Sequence, residues 1–464
     1  MTAEQVPGTN RRALYFCDYA WLGGPRAEPN VLVATSGPWI DTVTVGAPAP
    51  GRAVHLSGLT LPGFANAHSH AFHRALRGVV QAGRGDFWSW REVMYSVAST
   101  LDPGSYYRLA LATYAEMVLS GYTAVGEFHY LHHQAGGRPY ADPNEMGRAL
   151  LAAAADAGLR ITLLDTCYLA SGPGEPPVGV QARFSDGSAR SWADRVAAMG
   201  PIGATGDDEG ALPAAMAGAA VHSVRAVPPH DAAVVAAHAT TAGWPLHFHL
   251  SEQVRENQEA MAAYGRSPAA ILDGAGALGP GATAVHATHL SAQDVAVLGR
   301  SGTNVCMCPS TERDLADGIG PALALADAGS PLCLGSDSHA LTDPFAEMRG
   351  LEHGERLASG HRGNWPAADL LVAGTVAGHA ALGWSRAGSI SPGSVADLVT
   401  LSLDRPHMAA AEGHAVQMAV FAAGAADVDH VVSGGRVLVS QGRHLLVPDV
   451  GRSLRAAISQ LVPG

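Results

Sequence analysis

Lysine is absent from this 464-residue chain: all 29 of its basic residues are arginine. That absence excludes every chemistry built on a side-chain amine. No Schiff base can form, no P-loop lysine can reach a phosphate, and no carbamylated lysine can bridge two metal ions. Basic runs are missing too, and 41 acidic residues leave a net charge of −12, which argues against a nucleic-acid surface. Cysteine is sparse. Cys17, Cys167, Cys306, Cys308 and Cys333 form an odd set without a disulfide framework, as expected in a reducing compartment. Cys306 and Cys308 have the spacing of half a metal site, but no second pair exists, and they are expected to be buried strand residues. No apolar run reaches the roughly 18 residues of a membrane span, and the N-terminus has no signal pattern. The expectation is a cytoplasmic protein with neither membrane nor nucleic acid as partner.

What is present is a chain able to bury a large core, with 47% hydrophobic and 15% charged residues. Residues 11–60 alternate short apolar runs with Gly and Pro, which predicts short antiparallel strands. A matching pattern returns at Ala396–Leu401 and His430–Val439. The two ends, 1–60 and 387–464, are therefore expected to pair into a small β-sandwich domain. Residues 61–386 alternate strand-like and helix-like pieces. Helices are predicted over Tyr106–Ser120, Glu145–Ala157, Asp231–Ala242, Pro268–Gly274, Ala292–Arg300 and Ala322–Ala328. Strands follow at Arg160–Leu164, Leu246–His249, Ala282–His286, Asn304–Cys308 and Leu332–Gly335. About eight such units predict an α/β protein with a (β/α)8 TIM-like barrel. The stretch 171–215 is rich in Gly, Pro and Asp, lacks clear periodicity and is expected to be a long loop.

His68-Ser69-His70 ends the first of these strands. Residues i and i+2 of a strand share a face, so two imidazoles there can reach one ion. Alone the motif is weak in a chain with 22 histidines. Other strand ends supply His249 and Glu252, then His286, then Asp337. His68, His70, His249 and Asp337 form a nitrogen/oxygen set suited to Zn2+ or Fe2+, one per chain, with a position left for water. Each residue also has a plain structural alternative. His249 could be a satisfied core histidine, Asp337 a helix N-cap, and Glu252 a first-turn helix acid. Arg91 and Arg225 could be surface ion pairs, and Tyr130 a buried ring.

These motifs resemble the amidohydrolase superfamily, in its mononuclear aryl/imine deaminase branch. Further stretches resemble the formimidoylglutamate deiminase family: Phe87-Trp-Ser-Trp-Arg91, Gly126-Glu-Phe-His-Tyr130-Leu-His-His133, His222-Ser-Val-Arg225 and Cys308-Pro-Ser-Thr-Glu312. The resemblance implies hydrolysis of N-formimidoyl-L-glutamate to N-formyl-L-glutamate and ammonia, in histidine degradation, by a homodimer. It implies Glu252, His286 and Asp337 as the acid–base set, and Arg91, Tyr130, His222 and Arg225 as substrate-holding residues. His73 stands where that family has Gln. A small dicarboxylate would suit two arginines, because Arg pairs carboxylates bidentately. The alternatives are a deaminase of another amidine, purine or pyrimidine, a silent metal-binding barrel, and a hydrolase of hydantoin- or dipeptide-like amides.

Overall fold

The computed structural model describes residues 12–200, 202, 212–409 and 413–462. Two eight-stranded sheets organise it. The terminal segments supply β1 (Arg12–Ala20), β2 (Glu28–Ser36), β3 (Trp39–Thr44) and β4 (Val54–Pro62), and later β13 (Leu398–Leu401), β14 (Val428–Ser433), β15 (Arg436–Ser440) and β16 (Arg443–His444). Their hydrogen bonds run in one continuous order, β16-β15-β14-β13-β4-β1-β2-β3. From Val31 to Val33 to Thr35 the side chains of β2 alternate inward, as a half-buried strand requires. Val31 and Val33 pack with Tyr15, Cys17, Leu56 and Leu398 into a core of their own. One pairing departs from expectation. β4 lies parallel to β1, not antiparallel, because the chain makes two hairpins and then crosses back to the far edge of β1.

The barrel comprises β5 (Phe64–Ser69), β6 (Tyr122–His129), β7 (Arg160–Cys167), β8 (Ala215–Val221), β9 (Leu246–Leu250), β10 (Ala282–His286), β11 (Asn304–Met307) and β12 (Leu332–Leu334), all parallel and in sequence order. β4 enters β5 through Gly63. A Cβ there would come within 2.3 Å of the Thr123 hydroxyl, so only glycine lets the two sheets approach this closely. Arg160 at the start of β7 pairs with Asp397 just before β13, both buried, and ties the sheets together a second time.

Two features correct the sequence expectation. β8 was not anticipated; its sequence, Ala-Met-Ala-Gly-Ala-Ala-Val, holds one β-branched residue. The stretch 171–215, expected as a loop, contains a 3-10 turn at Gly179–Phe184 and an α-helix at Ala189–Ala198; residues 201 and 203–211 lie outside the described residues. The helix buries Trp192, Arg195 and Val196, and the charged residue on its inner face breaks the apolar period. Arg195 grips two carboxylates. Its NH1 and NH2 donate to Asp165 at 2.9 and 2.7 Å, and its Nε donates to Asp186 at 2.9 Å.

That network is expected to govern acid stability. Burial opposes ionisation of Asp165, but Arg195 outweighs it and holds the pKa at about 2. A depressed carboxyl contributes stability that is complete above the unfolded value near 4 and lost as pH falls toward 2, here about 2 kcal/mol. Arg195→Met should lower unfolding free energy at pH 7 by about 3–5 kcal/mol, since it strands two buried carboxylates. Urea titrations at pH 7 and pH 3 check both; an unchanged midpoint in Arg195→Met would refute the assignment.

Candidate active site

The barrel closes at the site itself. No ladder joins β12 to β5; a single bridge pairs Ser69 with Asp337. In it the Asp337 N–H donates to His68 O at 3.0 Å, and the His70 N–H donates to Asp337 O at 3.3 Å. The backbone therefore registers His68, His70 and Asp337 against each other before their side chains meet. Local strain collects here. Among the described residues, eight non-glycine residues have positive φ, and five lie at these strand ends: Ser251, His286, Ala287, Asp337 and His339. Such conformations persist only where surrounding structure enforces them.

Four ligand-type atoms converge, from His68, His70, His249 and Asp337, all within 4.8 Å of one another. His68 Nε2 and His70 Nε2 each lie 3.3 Å from Asp337 Oδ1, and His249 Nε2 lies 3.1 Å from His68 Nε2. The other ring nitrogens of two of them are committed: Nδ1 of His70 bonds Phe128 O and Nδ1 of His249 bonds His222 O, each at 2.9 Å. A carbonyl can only accept, so both Nδ1 atoms carry hydrogen, and in the neutral ring that tautomer leaves Nε2 as the lone pair facing the cluster. Burial would raise the Asp337 carboxyl, but His68, His70 and the charge of His286 hold it well below the usual carboxylate range. Burial pushes His68 down to about 3. Bare lone pairs and a carboxylate facing one point are the donor set of a divalent cation.

His286 sits beside this cluster. Its Nδ1 is 3.5 Å from Glu312, and its Nε2 is 3.8 Å from Glu252 and 4.0 Å from Asp337. Burial disfavours the imidazolium, but Glu252, Glu312 and Asp337 outweigh it and push the pKa up to about 10. Burial raises the Glu252 carboxyl, against the pull of His286. Glu312 lies in a stretch that the sequence singled out without a role for it. The plain alternatives for Asp337 and Glu252 do not hold. The helix after Asp337 starts at Pro344 and is capped by Asp343. Glu252 precedes its helix, which begins at Val254.

One cavity over the cluster is lined by His70, His73, Arg91, Tyr130, His222, Arg225, His249, Glu252, His286 and Asp337. Of the residues expected from sequence, only His68 is beneath it, fully buried. His73 Nε2 is 3.0 Å from the Tyr130 hydroxyl. Burial, then the charge of Arg225, pushes His222 well below its ordinary pKa. Arg91 and Arg225 are not surface ion pairs: neither has a carboxylate within 4 Å among the described residues. Arg91 instead lies over the Trp88 ring at 4.5 Å. Tyr95, Tyr168, Phe184 and Glu256 also line the cavity and were not anticipated, because no motif marks them.

Two other clusters of ligand-type atoms occur among the described residues. In His129, His132 and Asp165 the carboxylate is already held by Arg195. In His286, Cys308 and Glu312 burial raises the thiol pKa, so it stays protonated. All five cysteines are buried and free, in keeping with the reading of Cys306 and Cys308 as interior residues.

Parallel barrels carry their chemistry at the C-terminal face. Here that face presents a metal-type donor set beside paired acids, which defines a hydrolytic barrel enzyme. The chain belongs to the amidohydrolase family, whose model matches residues 59–438. It is 38% identical over 403 residues to formimidoylglutamate deiminase of Pseudomonas aeruginosa, covering 84% of this chain and 87% of that protein. It is 28% identical to 5-methylthioadenosine/S-adenosylhomocysteine deaminase of Pelotomaculum thermopropionicum, over 84% and 83% of the two chains. Among solved structures, an amidohydrolase from Brucella melitensis superposes with a TM-score of 0.87 at 32% identity, over 97% of this chain and 99% of that one. The protein is a hydrolase of carbon–nitrogen bonds. No helix among the described residues is long and apolar enough to cross a membrane.

Proposed function

We propose that the protein hydrolyses N-formimidoyl-L-glutamate to N-formyl-L-glutamate and ammonia, a step of histidine degradation. The observation that carries this is the pair Arg91 and Arg225, lining one cavity with the acid–base set and without carboxylate partners among the described residues. Half-buried guanidinium groups without an ion-pair partner favour an anionic ligand, and this substrate offers two carboxylates. A neutral purine or pyrimidine would leave both guanidinium groups unpaired. The 38% identity to a formimidoylglutamate deiminase supports the same substrate.

His68, His70, His249 and Asp337 would hold one divalent ion, for which we assign Zn2+, with Fe2+ as the alternative. When bound, the ion supplies Lewis acidity that lowers the pKa of a water toward neutrality. Asp337 accepts a proton from the water as its oxygen bonds to the formimidoyl carbon. Glu252, whose carboxyl burial raises above its ordinary value, donates a proton to the imine nitrogen. The His286 Nε2–H, aimed between Glu252 and Asp337, donates a hydrogen bond to the attacking oxygen. The tetrahedral carbon then carries OH, NH2 and the glutamate nitrogen. Asp337 passes its proton to the NH2, the carbon–nitrogen bond breaks, and ammonia leaves. The hydroxyl proton returns to Glu252, which restores the starting state.

Ammonia release from N-formimidoyl-L-glutamate, run beside N-formimidoyl-L-aspartate and guanine with metal analysis of the same sample, tests the assignment. Preference for guanine would overturn it. Arg225→Met should raise KM for N-formimidoyl-L-glutamate by about ten- to a hundredfold, the worth of a charge-assisted hydrogen bond, with a smaller change in kcat. We also assign a cytoplasmic homodimer, which the resemblance supports; sedimentation analysis measures the oligomeric state.

A further inference from the structure

The 3-10 turn Gly179–Phe184 borders the cavity, which its last residue lines. Arg183 anchors it. The buried guanidinium donates to three backbone carbonyls: His133 O at 2.8 Å, Leu101 O at 2.6 Å, and Ala98 O. In return the N–H groups of His132 and His133 donate to Arg183 O at 3.1 and 2.9 Å. The turn is thereby fixed to the end of the helix Phe87–Thr100 and to the segment after β6.

This anchoring places Gln181, which is buried at 3% exposure and does not line the cavity itself. Its Oε1 accepts from the Val178 N–H at 2.9 Å, which settles which end of the amide is nitrogen. The Nε2 then donates to two phenols at once, Tyr95 and Tyr168, each at 2.9 Å. An NH2 group has two hydrogens, so both are used and both phenol oxygens act as acceptors. Two phenolic protons are left. At most one can be passed to the neighbouring hydroxyl, so at least one must find an acceptor elsewhere. Both tyrosines line the cavity together with Arg91 and Arg225. Tyr95 lies one helical turn after Arg91, whose guanidinium is 5.5 Å from its ring.

We propose that Gln181 is a specificity-determining positioning residue: by donating to both Tyr95 and Tyr168 it leaves a phenolic O–H directed at a carboxylate of the substrate, beside Arg91 and Arg225. The inference rests on the dicarboxylate reading above. It assigns to part of the 171–215 stretch the task of orienting neutral donors that complement two cations. A carboxylate has about four acceptor sites, of which one bidentate guanidinium fills two, and a fixed phenol saturates one of the remainder.

The test compares Gln181→Met, Gln181→Glu and Tyr168→Phe with the native enzyme. Glutarate binding is measured by calorimetry, KM and kcat with N-formimidoyl-L-glutamate, and Tm by thermal melting. Gln181→Met and Tyr168→Phe should each weaken glutarate binding and raise KM about tenfold, with kcat within about threefold. Gln181→Glu should do more, about a hundredfold, because its carboxylate accepts both phenolic protons and turns them away from the cavity. If the native enzyme binds glutarate but does not turn over N-formimidoyl-L-glutamate, and the variants weaken glutarate, this inference stands while the substrate assignment falls. Native glutarate affinity and KM in Gln181→Met and Tyr168→Phe overturn the inference, whatever the substrate. So does a fall in kcat at constant KM, or an equal loss of both with a lowered Tm, which would mark Gln181 as structural only.

Discussion

Glu252→Gln should lower kcat by about 10²- to 10⁴-fold and leave metal content at the native level. Both halves follow from position. Glu252 lies outside the four-atom donor set, and the nearest ring nitrogen to its carboxyl is His286 Nε2 at 3.8 Å. Its environment is suited to carrying a proton: burial raises its pKa, and the neighbouring Asp337 carboxylate raises it further, while His286 and Arg225 pull the other way. Gln keeps the volume and can hydrogen-bond, but it cannot give up a proton to the imine nitrogen. The loss should therefore appear in kcat, with KM little altered, because binding lies with the arginines. Steady-state kinetics with metal analysis of the same preparation decide it. Full activity in Glu252→Gln would remove the acid from the mechanism.

Asp337→Ala should be the more severe change, because one residue serves three purposes. Its Oδ1 lies 3.3 Å from both His68 and His70, its Oδ2 faces His286, and its backbone forms the bridge that closes the barrel. Loss of the only carboxylate in the donor set should lower metal occupancy, and loss of the proton acceptor should lower kcat by more than about a thousandfold even in metal-supplemented buffer. The backbone contribution can be separated. Asp337 has φ of 41°, a conformation that Asn tolerates and Ala resists. Asp337→Asn should thus lose metal and rate while keeping the Tm of the metal-free native protein, whereas Asp337→Ala should melt earlier than that. Native metal content with native rate in Asp337→Asn would sink the dual assignment.

Much of this site was legible in the chain because its residues sit at strand ends, where local pattern is strongest. Apolar runs followed by His, Glu or Asp mark β5, β9, β10 and the turn after β12, and helices such as Glu145–Ala157 announce their ends with glycine at Gly158, whose φ is 76°. β8 escaped because Ala and Gly carry little strand preference. It is a strand through its neighbours: β7 and β9 pair with it on both sides, and a Cβ at Gly218 would come within 2.7 Å of Leu164. The helix Ala189–Ala198 escaped because its inner face carries Arg195, whose partners Asp165 and Asp186 are distant in the chain or on the preceding loop.

By itself the sequence determined the repeated strand–helix order, the types of the candidate donor residues and the absence of any lysine chemistry, since these depend on residue identity and short spacing. Tertiary structure alone decided the rest. That β4 runs parallel to β1, that Ser69 meets Asp337 to close the barrel, that Glu312 stands behind His286, and that Gln181 reaches Tyr95 and Tyr168 together are contacts between segments far apart in the chain. Their energies come from burial and hydrogen bonding that exist only once the barrel has formed, and no local propensity encodes them.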